Sequence, residues 1–363
     1  MVVPPASADV QIRGFMIKYK KRTGAPMNKP KLEEILARSG VMIIDGAMST
    51  ALEELGAELS DRLWTARVLA QEPALVEQVH LDYLRAGADC GITCSYQASI
   101  PGFVERGFSE KEAEDLIARS VSLFQSARSR WWEEEGRTSG RPFPLCLASV
   151  GPYGAYLADG SEYRGDYDVS EDALTAFHRR RMEILCEAGA DMLLIETQPS
   201  LREALLEARI AESLGADYWV SFSCRDALRI SDGTPVRDCA GAFAEGFPRL
   251  KMIGVNCTAP QFVSPLIREL RASSGLPIAV YPNSGRVYDP KTKTWSRPRD
   301  MKPLAAWAME YMAEGACAVG GCCTTDAEDI RAVREARGAW LGMGRPALAR
   351  IPQKGGTPAG KEN

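Results

Sequence analysis

Four stretches of the chain end alike: Arg-Ala-Gly-Ala-Asp at 85–89, Glu-Ala-Gly-Ala-Asp at 187–191, Ser-Leu-Gly-Ala-Asp at 213–217 and Ala-Glu-Gly-Ala-Cys at 313–317. Each follows a helix-like pattern and precedes an apolar run. Gly87, Gly189, Gly215 and Gly315 stand where a helix closes in the left-handed conformation that glycine adopts at little cost, before the chain turns into a strand. Repeated helix-to-strand junctions make this an α/β chain with parallel strands, because the intervening helices carry the chain back each time.

Around the junctions lie eight short apolar segments, at 41–48, 90–96, 144–151, 192–197, 218–223, 252–257, 277–283 and 317–323. Most are continuously apolar, as strands buried on both faces are. Helices fit at 72–86, 109–132, 170–188, 200–214, 260–273, 301–314 and 326–340, and less clearly at 234–246. Eight β units with helical connections across 31–345 predict a single (β/α)8 barrel of TIM type, the architecture that holds a body of this length as one domain. A doubly wound sheet is the alternative, but no Gly-x-Gly-x-x-Gly follows any of these strands. Residues 1–30 carry six Lys or Arg against one Asp, with four prolines, and read as a flexible basic extension; 346–363 read as a disordered tail.

Composition narrows the partners. The net charge is -4 with no basic stripe outside the first thirty residues, so no nucleic-acid footprint is present. No apolar run approaches the roughly 18 residues that span a bilayer, so no membrane role and a cytoplasmic location are expected, with organelle targeting by residues 1–30 the alternative. Small-molecule substrates are the expected partners. Ten cysteines in 363 residues are not a disulfide framework. Two histidines exclude a three-histidine zinc site, and His80 and His178 both lie in helical patterns, as helix-face residues rather than catalytic bases.

Barrel enzymes carry their chemistry at the carboxyl ends of the strands. Here the segments end in Asp45-Gly46-Ala47-Met48, Thr93-Cys94-Ser95-Tyr96, Glu196-Thr197, Asn256-Cys257, Pro282-Asn283-Ser284 and Gly320-Gly321-Cys322-Cys323. Cys257 and the Cys322-Cys323 pair would meet at one mouth, with a single strand between them. Adjacent cysteines on a regular strand point to opposite faces, but past the strand end, after two glycines, both can reach one ion. Three thiolates without histidine suit Zn2+, and they leave its fourth position open. The rival readings are three core thiols or a redox switch, the latter disfavoured because a bond between neighbouring cysteines is strained. Zinc on three thiolates is a weak Lewis acid toward water and a good home for a substrate sulfur, whose thiol pKa it lowers. That points to a thiolate attacking an electrophilic carbon. Asp45 and Glu196 suit an ammonium group, Thr93 and the amides of the Gly46-Ala47-Met48 turn can donate to a carboxylate, and Asn283 is a further substrate contact. Ordinary turn capping is the competing explanation for each alone.

The chain resembles the zinc-dependent homocysteine S-methyltransferases. The resemblance is carried by Ile44-Asp45-Gly46-Ala47-Met48, Asp61 to Ala66, Thr93 to Ala98, Gly151 to Ala155, Glu196-Thr197, Gly254-Val255-Asn256-Cys257 and Gly320-Gly321-Cys322-Cys323, spread over 40–340. It implies Cys257, Cys322 and Cys323 as zinc ligands, with Asp45, Thr93 and Glu196 holding the amino-acid end of homocysteine. Leu63-Trp64, Ser95-Tyr96-Gln97 and the run from Gly154 to Tyr167 look most like the branch using S-methylmethionine, with S-adenosylmethionine a second donor and the betaine-using branch less similar. One departure stands out: the branch usually has arginine and then Thr-Thr-Pro after the second paired cysteine, whereas Thr324-Thr325-Asp326-Ala327 follows here. Loss of that charge beside an anionic metal site bears on donor preference and rate.

The expected reaction is methyl transfer from a sulfonium to homocysteine, giving methionine and needing no separate general base. Trp64, Tyr96 and Tyr153 are candidates for a cation-π wall around the sulfonium, core or rim packing being the other use of each. The rivals are a non-catalytic zinc or thiol-binding sensor barrel, and a zinc hydrolase, which would want histidine or carboxylate ligands and a bound water.

Overall fold

The computed structural model describes residues 31–59, 64–289, 294–296, 298 and 300–344, without the side chains of 64–66, 287–289 and 294–296. The basic extension 1–30 and the tail 346–363 lie outside the described residues, as do Asp61 to Leu63 and the side chain of Trp64.

The eight expected segments each contribute a strand: β1 (Met42–Ile43), β2 (Cys90–Ile92), β3 (Leu145–Val150), β4 (Met192–Gln198), β5 (Tyr218–Phe222), β6 (Leu250–Asn256), β7 (Ile278–Tyr281) and β8 (Ala318–Val319). All pair in parallel, in the order β1-β8-β7-β6-β5-β4-β3-β2. The seam between β1 and β2 is closed by aspartates in place of a regular ladder. The Asp89 amide donates to Ile43 O at 2.7 Å, Asp89 Oδ2 accepts from the Ile43 amide at 2.9 Å, and Asp45 Oδ2 accepts from the Ile92 amide at 2.9 Å. The result is a nearly closed TIM-type barrel with helices between the strands. A small antiparallel hairpin, Val287–Asp289 with Thr294–Ser296, stands outside the sheet.

The large helices fall where the apolar periodicity puts them, at Pro73–Ala86, Glu110–Glu134, Glu171–Glu187, Leu201–Leu214, Pro260–Ser273, Leu304–Glu314 and Ala327–Gly342, with Val236–Ala242 shorter than expected. The junction glycines have φ of 124°, 88°, 68° and 111° at Gly87, Gly189, Gly215 and Gly315, the left-handed geometry that ends each helix. Short helices unanticipated by the periodicity, such as Met48–Glu54 and Tyr153–Leu157, decorate the carboxyl ends of the strands.

Two apolar layers explain the continuous runs. Leu193, Ile195, Val220 and Val255 face outward against the helices, while Leu145, Leu147, Met192, Leu194, Trp219 and Met252 fill the barrel. Helix Leu32–Ser39 plugs the amino end with Leu32, Ile35 and Leu36, at the spacing of one helix face. Because side chains alternate along a strand, the inward positions nearest the carboxyl ends are Ser149, Glu196, Ser221, Asn256 and Tyr281. An apolar floor thus gives way to a buried polar layer just under the mouth. Among the described residues no helix is long and apolar enough to cross a membrane.

Candidate active site

The three cysteines singled out from the sequence converge. Cys257 follows β6 and Cys322-Cys323 follow β8, and their sulfurs all lie within 4.8 Å of one another, with Cys257 to Cys323 at 3.5 Å and Cys322 to Cys323 at 4.0 Å. Sulfurs at about 2.3 Å from a tetrahedral zinc stand about 3.8 Å apart, so the triad has the size of a three-thiolate zinc site, whose fourth position would go to another ligand. The Gly320-Gly321 pair is what lets the loop turn in. A Cβ on Gly320 would sit 2.6 Å from Ile44 Cβ, and one on Gly321 would sit 2.4 Å from Thr325 Oγ1. The Cys322 amide donates to Pro282 O at 2.7 Å, Thr325 Oγ1 to Cys322 O at 2.7 Å, and the Ser284 amide to Cys323 O at 3.1 Å. Hydrogen bonds from Cys257 and then Cys322 pull the Cys323 thiol far below its ordinary pKa, while bonds with Cys257 and Cys323 push Cys322 up.

Backbone strain gathers here. Thr197, Cys257 and Thr324 have φ of 57°, 48° and 63°, in the left-handed region that costs a β-branched or other non-glycine residue about 1 kcal/mol or more. Asn256 supplies part of the restraint: its Oδ1 accepts from the Thr197 amide at 2.9 Å and Ser221 Oγ at 2.8 Å, and its Nδ2 donates to Thr197 Oγ1 at 2.7 Å. The asparagine before Cys257 is therefore a clamp across β4, β5 and β6.

The expected carboxylates lie at the mouth without a cation. Glu196 accepts hydrogen bonds from Ser149 Oγ and, at 3.0 Å, from Tyr281 Oη. Burial pushes its carboxyl up to about 7 against those two bonds, and the nearby Cys257 adds to the rise. Asp45 spends Oδ2 on the Ile92 amide, and Oδ1 is buried with no hydrogen-bond partner among the described residues. Burial, opposed by that amide and reinforced by Glu196, raises its pKa well above the carboxylate range. Asn283 also presents a buried, unpartnered Oδ1. Thr93 Oγ1 accepts from the Ser149 amide at 3.1 Å and lies 2.7 Å from Ser95 Oγ, so its hydroxyl is already used between β2 and β3. The amide of Ala47 is likewise engaged, donating to Thr325 Oγ1 at 3.2 Å.

The aromatic candidates separate. Tyr96 is half-buried; desolvation raises its pKa, the charges of Cys257, Glu162 and Glu196 add to the rise, and a hydrogen bond with Thr197 opposes it, which sets it among the site groups. Tyr153 packs instead in an aromatic cluster, with ring centroids 5.0 Å from Phe177 and 5.5 Å from both Tyr156 and Tyr167. The backbone of Trp64 opens helix Trp64–Gln71. Sequence reasoning overlooked Tyr163, whose Oη lies 3.5 Å from Cys257 Sγ, although it falls inside the Gly154 to Tyr167 run. Ser149 and Tyr281 were overlooked too, and the inward period of β3 and β7 was the signal for them.

The position of the missing arginine is filled by Thr324, whose Oγ1 lies 2.5 Å from Ser284 Oγ and donates to Cys323 O at 2.6 Å. A guanidinium nevertheless reaches the same loop from the other side: Arg286 Nη2 bonds Asp326 Oδ2 at 2.6 Å. The charge comes from the β7 loop and is matched there by Asp326.

Neither histidine joins the site. His80 is buried edge-on to Phe124 at 5.2 Å, and desolvation lowers its pKa to about 3. His178 lies between Glu203 and Glu207 at 2.8 and 2.7 Å, and Arg181 stands 3.6 Å from Glu207. The Arg181 guanidinium makes this a polar network and not a metal pocket. It braces the loop after β3, since Arg181 donates to Gly151 O and Glu203 Oε1 accepts from the Tyr153 amide at 2.6 Å.

The family model described as Homocysteine S-methyltransferase matches residues 42–337. The chain belongs to the homocysteine S-methyltransferase family. The chain is 48% identical over 303 residues to Homocysteine S-methyltransferase YbgG of Bacillus subtilis, covering 83% of this chain and 96% of that protein. To Homocysteine S-methyltransferase of Escherichia coli it is 45% identical over 312 residues, covering 85% and 98% of the two chains. The metallated form of the E. coli homocysteine methyltransferase MmuM superposes with a TM-score of 0.75 at 42% identity, over 83% of this chain and 98% of that one. As a member of this family the protein is a methyltransferase, and its thiol triad suits the zinc expected from the sequence.

Proposed function

We propose that the protein methylates homocysteine with S-methylmethionine, S-adenosylmethionine serving as a second donor, and that Cys257, Cys322 and Cys323 hold the zinc. The observation that carries the reading is the convergence of three thiol sulfurs, all within 4.8 Å of one another, on the rim of a barrel whose unpaired acceptors lie beside them. Zinc bound there would leave one position for the homocysteine sulfur and lower its thiol pKa, so that it attacks as a thiolate.

The chain's own groups do the rest. Asp45 Oδ1 and Asn283 Oδ1 are buried acceptors with no partner among the described residues, suited to the homocysteine ammonium, and Glu196 adds a carboxylate. Thr93, with its hydroxyl bonded within the sheet, offers a fixed wall and a remaining lone pair. Tyr96 stands on the donor side, with Trp64 and Tyr153 the weaker candidates there. The homocysteine sulfur forms a bond to the methyl carbon as the carbon–sulfonium bond breaks, and the electron pair leaves on the departing thioether sulfur. Because the leaving group is neutral, the chain's task is to align donor and acceptor and exclude water.

The test is methionine formation by the zinc-loaded protein from homocysteine, with methyl-labelled S-methylmethionine, S-adenosylmethionine and betaine in parallel. Fastest label transfer from S-methylmethionine is expected. Preference for betaine would overturn the donor, and no transfer from any donor with zinc bound would overturn the reaction for this chain.

A further inference from the structure

Beside the thiol triad, the loop after β3 presents a carboxylate oxygen that the fold leaves unused. The turn Ser161–Tyr163 is pinned from both sides, with the Ser161 amide donating to Asp159 Oδ1 at 2.9 Å and the Gly165 amide donating to Ser161 O at 2.9 Å. Gly154 packs so closely against this turn that a Cβ there would lie 2.5 Å from the Glu162 nitrogen. The turn brings the tips of two neighbouring side chains to the mouth, the Tyr163 ring itself staying half exposed. Tyr163 Oη reaches Cys257 Sγ at 3.5 Å, and Glu162 Oε2 is buried with no hydrogen-bond partner among the described residues. Burial raises the Glu162 pKa, a hydrogen bond from its own backbone amide opposes the rise, the charges of Asp159 and Cys257 add to it and that of Arg164 offsets part of it, so this carboxylate is in electrostatic reach of the triad. Arg164, two residues on, bonds Asp166 Oδ1 at 3.2 Å and Ser161 Oγ at 3.0 Å and not Glu162.

A buried carboxylate oxygen that no cation hydrogen-bonds is a place where a ligand's positive charge can complete the pairing. Asp45, Glu196 and Asn283 already provide three acceptors for one ammonium group, whereas a sulfonium amino acid brings a second and a third positive charge. We infer that Glu162 is a specificity-determining residue, its Oε2 facing a positive charge of the methyl donor and selecting a cationic sulfonium over a neutral thioether. The inference rests on the methyl-transfer reading above and adds to it a residue and a reason for donor charge selection.

Equilibrium binding to the zinc-loaded full-length protein tests it without turnover. S-methylmethionine and methionine differ by one methyl group and one positive charge. The wild type is expected to prefer the sulfonium roughly tenfold or more, the scale of a close charge pair. Glu162→Gln should lose most of that preference and Glu162→Asp should keep part, with zinc content and homocysteine affinity unchanged in both. An unaltered preference in Glu162→Gln, or none in the wild type, would overturn the inference, and zinc loss in both variants would reassign Glu162 to holding the triad. A wild type that selects the sulfonium yet makes no methionine would instead sink the methyl-transfer reading and leave the binding result standing.

Discussion

Buried aspartates at the amino end of this barrel, Asp89 and Asp191, have cations, whereas Asp45 and Glu196 at the mouth have none. Asp89 Oδ2 accepts from the Ile43 amide at 2.9 Å and from Arg337 at 2.5 Å, and Asp191 Oδ2 accepts from the Cys146 amide at 2.8 Å and from Arg128. At the mouth, Asp45 and Glu196 meet amides, hydroxyls and each other, and their pKa values rise. The same residue types therefore do opposite work. A buried carboxylate neutralised by a guanidinium belongs to the frame, while one that is desolvated and left unpaired is a place for a ligand's positive charge. The strain is divided in the same way: Thr197, Cys257 and Thr324, three of the four non-glycine residues with positive φ among the described residues, stand at the mouth.

The sharpest way to break this contrast is at the thiols. Cys257→Ser should lose zinc and reduce methyl transfer by more than about a hundredfold, beyond what changes to residues around metal ligands cause. Metal content and turnover measured on one preparation check it, and retained turnover in a zinc-free variant would sink the mechanism. At the opposite end, Asp191→Ala leaves Arg128 buried and unpaired, with side-chain exposures of 9% for Arg128 and 3% for Asp191 in the intact pair. The expected cost is about 3 to 5 kcal/mol in denaturant unfolding, with both KM values unchanged in the folded protein. A weakened KM at unchanged stability would erase the distinction between the two ends.

Asp45→Asn should have the smaller and converse effect. The amide oxygen can still accept from Ile92, so stability should hold, while homocysteine affinity falls by roughly thirtyfold, or about 2 kcal/mol, for loss of a charge partner. Smallest is the pH effect. Glu196 titrates at about 7, so it is neutral below and ionised above that pH, and ammonium binding is favoured by the ionised form. Affinity for methionine, which has no thiol to titrate, should strengthen as pH rises through about 7, and Glu196→Gln should flatten that dependence. An equal slope in both proteins, read by calorimetry, would remove Glu196 from ammonium binding.

Much of this was legible in the chain. The Gly-Ala-Asp junctions and continuous apolar runs imply a parallel barrel, and the strand-end residues imply a mouth rich in thiols and carboxylates. Several strands are shorter than their apolar runs: 41–48 contributes only Met42–Ile43, because Asp45 turns its carbonyl to the Gly321 amide and its carboxylate to Ile92. Tyr153 and Tyr96 show the limit of the same reasoning. Both are tyrosines just past a strand, yet one packs on Phe177 and the other faces the thiols, since side-chain direction past a strand end follows no sequence period.

The sequence by itself determined the topology, the rim and the three thiols, because strand alternation and helix periodicity are local rules that a linear chain can display. The tertiary structure alone decided which polar atoms remain unpaired. Whether Asp89 finds Arg337, 248 positions away, or Asp45 finds no cation, depends on which distant side chains the closed barrel brings together. That difference separates the frame of this protein from its site.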